Sequence, residues 1–267
     1  MPHSQPIPIP KHSPWVSQYL VIRALIGREI TTRFGKYRLG FFWMLLEPLL
    51  GVLVMGVLFG SLLGRTVPEI PYAFFMLVGM VMLSIFTDSM RAGLNALKAN
   101  RGLLVYPNVK LLDPFIARFL FELLTSLFAF TVFCLIGMWM GIELSLSQLH
   151  IVAAGFIITW LAGCGFGLIF GVGTAYYEEL EKVVPILQRP LLFVSAVLSP
   201  AAAVPVHIQK YLLLNPLVHT IELCRHALFP YYKVTGVDLL YPATFALVIL
   251  TLGLTLFHNH RKFLSQS

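Results

Sequence analysis

Three carboxylates stand inside long apolar stretches of this chain: Glu47, Asp88 and Glu122. A charge at membrane depth is costly, so each one needs a partner or a task. Arg91 follows Asp88 by three residues and Arg118 precedes Glu122 by four, the spacing at which side chains meet on one helix face. Ion pairs Asp88–Arg91 and Glu122–Arg118 are therefore expected, while Glu47 has no such neighbour. Other reactive groups do not converge. Cys134, Cys164 and Cys224 are far apart, odd in number and without a CxxC pair. The eight histidines show no metal-ligand spacing: His258 and His260 read as interfacial, and His207, His219 and His226 lack partners at a recognisable spacing. A membrane-embedded transferase would need acids, bases or metal ligands gathered at one face, and no DxD or His–Asp cluster supplies them. No GxxxxGK[ST] loop is present, so any ATP must be bound by another chain.

The elements that hold these residues are set by composition. Of 267 residues, 58% are hydrophobic and 12% charged, and mean hydropathy is +0.82. A soluble domain carries about 25% charged residues, so the solvent of this chain is lipid. The fold class is all-α membrane protein, a single transmembrane domain over 1–267. Residues 1–14 are polar and Pro-rich, with no short apolar core and cleavage site of a signal peptide.

A bilayer core of about 30 Å takes ~20 apolar residues per helix. Six spans are predicted, near 41–64, 72–92, 115–141, 150–175, 186–204 and 241–259. The fifth carries Pro190 and Pro200, so its outer end is expected to be irregular. Fifteen Lys and Arg fall in segments facing one side and four in those facing the other. This asymmetry places both termini in the cytoplasm. It also accounts for most of the +7 net charge without nucleic acid, for which no soluble basic face exists.

Three segments are not spans. Over 15–38, Val16, Tyr19, Leu20, Ile22, Leu25, Ile26, Ile30 and Phe34 recur at helical spacing, with Arg23, Arg28, Arg33, Lys36 and Arg38 mostly facing elsewhere. This is a basic amphipathic helix for the cytoplasmic interface, serving as an anchor or as a gate or docking element. The loop 93–114 is too polar to span, yet Leu97, Leu103, Leu104, Val105, Leu111 and Leu112 need a cover. Either a partner's groove, with Lys98, Arg101 and Lys110 at the rim, or the protein's own spans supply it. Asp113 before Pro114 signals the start of the third span. The outer segment 205–240 holds apolar stretches of about ten residues bounded by Pro205, Pro216 and Pro230, too short to cross. It reads as re-entrant half-helices, whose backbone survives at membrane depth only beside protein or a cavity.

Two motifs resemble a known family. LGFFWMLLEPLL, Leu39 to Leu50, resembles the LGxxWxxxxPL opening of the membrane subunits of type-2 ABC exporters. NPLVHTIELCRHALF, Asn215 to Phe229, resembles that family's Asn-Pro turn followed by a helix with an Arg. The order of interface helix, six spans, docking loop after the second span and re-entrant pair before the sixth resembles the family over essentially the whole chain. The short length, small outer loops and aromatic-rich first span are closest to the polysaccharide branch, above all capsular polysaccharide exporters, with O-antigen and teichoic acid exporters related. Drug and haem exporters of the family usually carry different flanking sequence.

The resemblance implies a bacterial inner-membrane homodimer, bound to two copies of a separate P-loop ATPase that carries ATP and Mg. No cofactor is implied on this chain. A lipid-linked polysaccharide would pass between the copies, lined mainly by the first and fifth spans, and further envelope components would continue the path outward. Phe41, Phe42, Trp43 and Phe193 would offer ring faces that hold sugars weakly. Tyr37 and Arg38 would meet an anionic sugar or lipid phosphate at the entrance, because guanidinium binds both in two-pronged fashion. Glu47 would pair with the interface helix or lie on the channel wall. Lys98, Arg101, Leu103, Leu104 and Lys110 would belong to the ATPase-coupling loop, with Glu178, Glu179 and Glu181 near the same surface. Asn215, Pro216, Glu222 and Arg225 would form the re-entrant signature.

Overall fold

A computed structural model describes residues 13–34, 46, 49–52, 54–62, 64, 67, 70–100, 102 and 109–264. Among these the chain is helical, and an isolated bridge between Val67 and Ile70 is the nearest thing to a strand. Helix α1 (Pro14–Phe34) comes first. Helical residues 49–52 and 54–55 then lead into a π-helix at Gly56–Leu62. There follow α2 (Tyr72–Leu94), α3 (Ala96–Asn100), α4 (Asp113–Trp139) and α5 (Leu149–Gly173). After a 3₁₀ turn at Glu178–Lys182 come α6 (Val183–Val194), α7 (Val206–Leu212), α8 (Pro216–Leu228) and α9 (Leu240–Leu264).

Helices α2, α4, α5 and α9 are long and apolar enough to cross a membrane, with 23, 27, 25 and 25 residues. At 1.5 Å per residue each exceeds the ~30 Å of a hydrocarbon core. These four match the predicted second, third, fourth and sixth spans, although the sixth runs on to Leu264. The first predicted span lies partly outside the described residues. The fifth has the irregular outer end that Pro190 and Pro200 signalled, and its helix stops at Val194, short of the predicted limit at 204. Helix α6 has 12 residues, and the chain then turns through Ser195–Leu198, all buried. Ala196 adopts φ 55°, a left-handed conformation that no helix continues through. Pro200, four residues later, prevents resumption as a simple rod.

Helix α2 is the centre of the packing, with Phe75, Met76, Met82 and Ile85 wholly buried. It lies against α5 along small residues. A Cβ on Gly93 would stand 2.4 Å from the Gly167 carbonyl carbon, and one on Gly163 would stand 2.6 Å from the Phe86 oxygen. With little hydrophobic drive between helices in lipid, backbones brought this close gain their stability from dispersion contacts. The opposite side of α5 meets α9, where a Cβ on Gly253 would fall 2.7 Å from the Gly165 oxygen. Trp160 of α5 donates its indole N–H to the Phe119 carbonyl of α4 at 2.8 Å. Helices α4 and α9 present Leu124, Leu135, Leu247, Val248 and Leu252 outward, as a lipid-facing surface does.

The start of α4 follows its sequence signal. Pro114 stands in the first turn, and Asp113, 1% exposed, accepts the Lys110 backbone N–H at 2.8 Å. It also accepts the side-chain amide of Gln18 from α1. One acidic group thus ties the loop before the third span and the interface helix to the start of that span.

Candidate functional site

The turn after α6 is buried, where an unpaired carbonyl costs about 1–3 kcal/mol, and here successive residues find separate donors. The Asn215 amide donates to the Val194 carbonyl at 3.1 Å and to the Ser195 hydroxyl at 3.0 Å. Arg225 donates to the Ala196 carbonyl at 2.7 Å and the Val197 carbonyl at 2.9 Å. The Tyr72 hydroxyl donates to the Leu198 carbonyl at 2.7 Å. Asn215 also accepts the Leu217 N–H at 3.0 Å through its Oδ1, the ordinary N-cap bond of α8. One Asn therefore closes the end of α6 and opens α8, and Pro216 adds the fixed φ of a helix start.

Arg225 is wholly buried. Besides the two turn carbonyls it donates to the Phe75 carbonyl at 3.2 Å and to Glu222 at 3.0 Å. Its guanidinium lies over the Phe75 ring, 3.5 Å from the centroid. Glu222, 2% exposed, accepts the Tyr232 hydroxyl at 2.8 and 3.0 Å. Space for the guanidinium comes from Gly79, where a Cβ would stand 2.5 Å from Nη2 of Arg225. Of the four signature residues named from sequence, Asn215 and Arg225 bond this turn, Glu222 holds Arg225, and Pro216 starts the helix that carries them. Sequence reading missed Tyr232 and Gly79. The signal for Tyr232 was present, since a buried Glu needs a donor besides the single arginine one turn on.

Helix α7 and helix α8, of 7 and 13 residues, are the two short helices expected in 205–240. Helix α8 is buried against α5, where the Thr159 and Thr220 hydroxyls are 3.0 Å apart. Beside it lies an apolar cavity of about 230 Å³, lined by Phe86, Phe166, Phe170, Leu191, Phe245 and Thr220 among others. His219 donates from Nε2 to the Leu213 carbonyl at 2.9 Å and accepts the Asp238 N–H at Nδ1, 3.1 Å. The two contacts place the donor at Nε2 and the acceptor at Nδ1.

A second constellation joins α1 to the spans. Gln18, Ile22, Leu25, Glu29 and Arg33 recur every three or four residues, the stripe of one helix face, and Leu25 is buried. Arg33 grips Glu122 of α4 with two N–H groups, and Glu29 pairs with Arg118 at 3.2 Å. The expected Glu122–Arg118 pair is therefore corrected, since both residues pair with the interface helix instead. Glu122 is 4% exposed, so a fixed partner brought in by α1 outcompetes an intrahelical one that must bend back. The expected Asp88–Arg91 pair is present at 3.7 Å, and Arg91 also reaches Gln188 of α6 at 2.6 Å. Between these elements lies a polar cavity of about 870 Å³, bordered by Arg33, Asp88, Arg91, Arg118, Glu122 and Gln188 among others.

The loop 93–114 enters the same network. Lys98 of α3 binds Glu181 at 2.9 and 3.2 Å, which holds its ammonium above the ordinary lysine value through that hydrogen bond and the adjacent charge. Arg28 of α1 donates to the Ala99 carbonyl at 3.2 Å. Lys110 precedes α4 and its backbone N–H and carbonyl both bond Asp113, at 2.8 and 2.9 Å. Phe193 stands on α6 with 65% of its surface exposed. Tyr37, Arg38, Phe41, Phe42, Trp43, Glu47, Arg101, Leu103 and Leu104 lie outside the described residues.

Comparison with known proteins adds a full-length likeness. The ABC-2 type transporter family matches residues 21–229, a stretch that begins within α1 and ends one residue beyond α8. The polysialic acid transport protein KpsM of Escherichia coli is 39% identical over 253 residues, covering 92% of this chain and 95% of that protein. The capsule polysaccharide export inner-membrane protein CtrC of Neisseria meningitidis is 29% identical over 246 residues, 92% of each chain. The capsule polysaccharide export inner-membrane protein BexB of Haemophilus influenzae is 27% identical over 243 residues, 91% of each.

Proposed function

This chain belongs to the ABC-2 type transporter family, and from that premise we propose that it is the inner-membrane permease of a capsular polysaccharide exporter. The observation that carries the reading is the likeness along nine-tenths of the chain to transport proteins for polysialic acid and capsule polysaccharide. Two copies form the path, two copies of a separate P-loop ATPase drive it, and the polymer moves with its lipid anchor between the copies. The N- and C-termini lie on the ATPase side.

The geometry supports a division of labour. Closure of the ATPase displaces the loop 93–114. Lys98–Glu181 passes that displacement toward α6, and Arg28 passes it through the Ala99 carbonyl to α1. From α1 the Arg33–Glu122 and Glu29–Arg118 pairs reach α4. The clasp around Ser195–Leu198 keeps the far end of α6 fixed, so that α6 pivots as a lever instead of unravelling. Segment 205–240 is re-entrant in this reading, with α7 and α8 closing the outer side. Phe41, Phe42, Trp43 and Phe193 line the path, Tyr37, Arg38 and Glu47 stand at its entrance, and Arg101, Leu103 and Leu104 seat the loop in the ATPase.

The test is purification of the tagged chain in mild detergent, with mass spectrometry and ATPase assay on what accompanies it, beside complementation of a capsule-bearing strain deleted for its own permease. A stoichiometric P-loop ATPase and restored surface polymer are expected. A chain that purifies alone in several detergents and restores no capsule returns the choice to a transferase or a small-molecule exporter.

A further inference from the structure

The outward face of α6 carries more than Phe193. Ile186, Arg189, Pro190 and Phe193 follow the i, i+3, i+4, i+7 spacing of one helix stripe, and all four are exposed. The orientation of the stripe is set from behind, because the intervening Gln188 is held by Arg91 of α2 at 2.6 Å. Among the described residues Arg189 makes no ion pair, whereas Arg33, Arg91, Arg118 and Arg225 each have a carboxylate within 4 Å. Pro190 has no N–H to give to the Ile186 carbonyl one turn earlier. That leaves a backbone acceptor on the same stripe, beside a residue that is 67% exposed.

Three chemistries thus stand in a row along about 10 Å of helix. A guanidinium takes a carboxylate with paired N–H groups. A freed carbonyl accepts from hydroxyls. An aromatic ring offers an apolar face to C–H groups. Lipid tails satisfy the ring but not the other two, and a protein helix packed on the stripe would have to supply an acid of its own. An acidic sugar carries a carboxylate, hydroxyls and a C–H face on one ring.

We infer that the stripe Ile186–Arg189–Pro190–Phe193 is a binding site for an acidic saccharide chain, with Arg189 selecting its carboxylates. The inference rests on the exporter reading and names the substrate class at the face that reading assigns to the path. Contact is weak by design, since one exposed charge-assisted contact on a polymer must be released at each step.

The test uses the permease with its ATPase partner in phosphatidylcholine nanodiscs, probed with oligosialic acid and with neutral maltodextrin oligomers of equal length. Wild type is expected to prefer the acidic oligomer. Arg189→Gln is expected to lower acidic binding about five- to tenfold, the scale of one partly solvated charged hydrogen bond, and to leave neutral binding unchanged. Arg189→Lys should retain most of the preference, and Phe193→Ala should weaken both oligomers. Unchanged thermal unfolding of Arg189→Gln accompanies this result, because the side chain supports nothing in the fold. Equal acidic binding by wild type and Arg189→Gln overturns the inference. So does abolition of the wild-type preference when phosphatidylglycerol is added to the discs, which assigns Arg189 to a lipid phosphate. Failure of the wild-type chain to restore capsule to a permease-deleted strain counts against the exporter reading itself. Restored capsule with normal export of acidic polymer by Arg189→Gln removes only the stripe.

Discussion

Arg225 shows how an ionised side chain can be wholly buried in a membrane protein and still be an asset. Its pairing with Glu222 is weak evidence for stability by itself, because desolvating two charges offsets much of their attraction. What decides the balance is that the guanidinium also satisfies three carbonyls, those of Phe75, Ala196 and Val197. Two of these belong to a turn whose buried backbone would otherwise lack donors. Lysine carries the same charge, but its donors radiate from one point and cannot reach carbonyls on separate elements. Arg225→Lys is therefore expected to cost about 2–4 kcal/mol, seen as a fall of roughly 5–10 °C in the unfolding midpoint of the detergent-solubilised chain. A midpoint within a degree of wild type would show that the clasp is dispensable. Asn215→Ala removes a helix cap worth ~1 kcal/mol and the donor to Val194. Its midpoint should fall less. Because both residues hold the same turn, the double substitution should cost less than the two separate effects together, and strict additivity in the same assay would separate them into independent supports.

At the scale of elements, the interface helix and the third span act as one unit. Glu122 is nearly inaccessible while Arg33 is 43% exposed at its side chain, so loss of the arginine strands a buried charge at a cost of about 3–5 kcal/mol. Arg33→Ala should lower the yield of inserted, protease-resistant chain and abolish export. The exchange Arg33→Glu with Glu122→Arg should recover part of both, and an exchange that behaves no better than the single change would exclude direct pairing as the cause. Long, strongly apolar elements of this chain were legible before any coordinates: α2, α4 and α5 fall within two residues of their predicted limits, and the Asp113–Pro114 start is where the signal placed it. The signature residues 215, 216, 222 and 225 could be named, but not the turn that 215 and 225 bond. Pro200 marked the outer end of the fifth span as irregular, but the turn itself, SAVL at 195–198, leaves no mark in composition, because it reads as apolar as the helix before it. Its instability appears only when unpaired carbonyls are counted in three dimensions. The partner of Glu122 was missed for a related reason. Spacing within one helix finds neighbours on that helix, whereas Arg33 arrives from 89 positions away.

Among the described helices, α6 has an outward face unlike those of α2, α4 and α9. Helix α2 is buried on nearly every side, and α4 and α9 expose leucine and valine as lipid-facing helices do, but α6 exposes Ile186, Phe193 and Val194 together with Arg189. An arginine on that surface is costly against hydrocarbon, which favours a neighbour able to admit water or sugar. In a pair of copies arranged about a two-fold axis, the same stripe meets itself across the path. Phe193→Cys should then join two chains through a bifunctional thiol reagent of matching length. The native Cys164 and Cys224 are buried and Cys134 is half-buried, so a variant with all three replaced supplies the background. A cysteine at Leu247, equally outward on lipid-facing α9, should remain unlinked under the same conditions. If ATP with the partner ATPase separates the copies to admit polymer, linkage at 193 should slow on its addition, while a vanadate-trapped complex should hold one rate. Linkage at 247 but not at 193 would turn the molecule around, placing α9 at the two-fold axis and α6 in lipid, and the path would then have to be sought along the fourth and sixth spans.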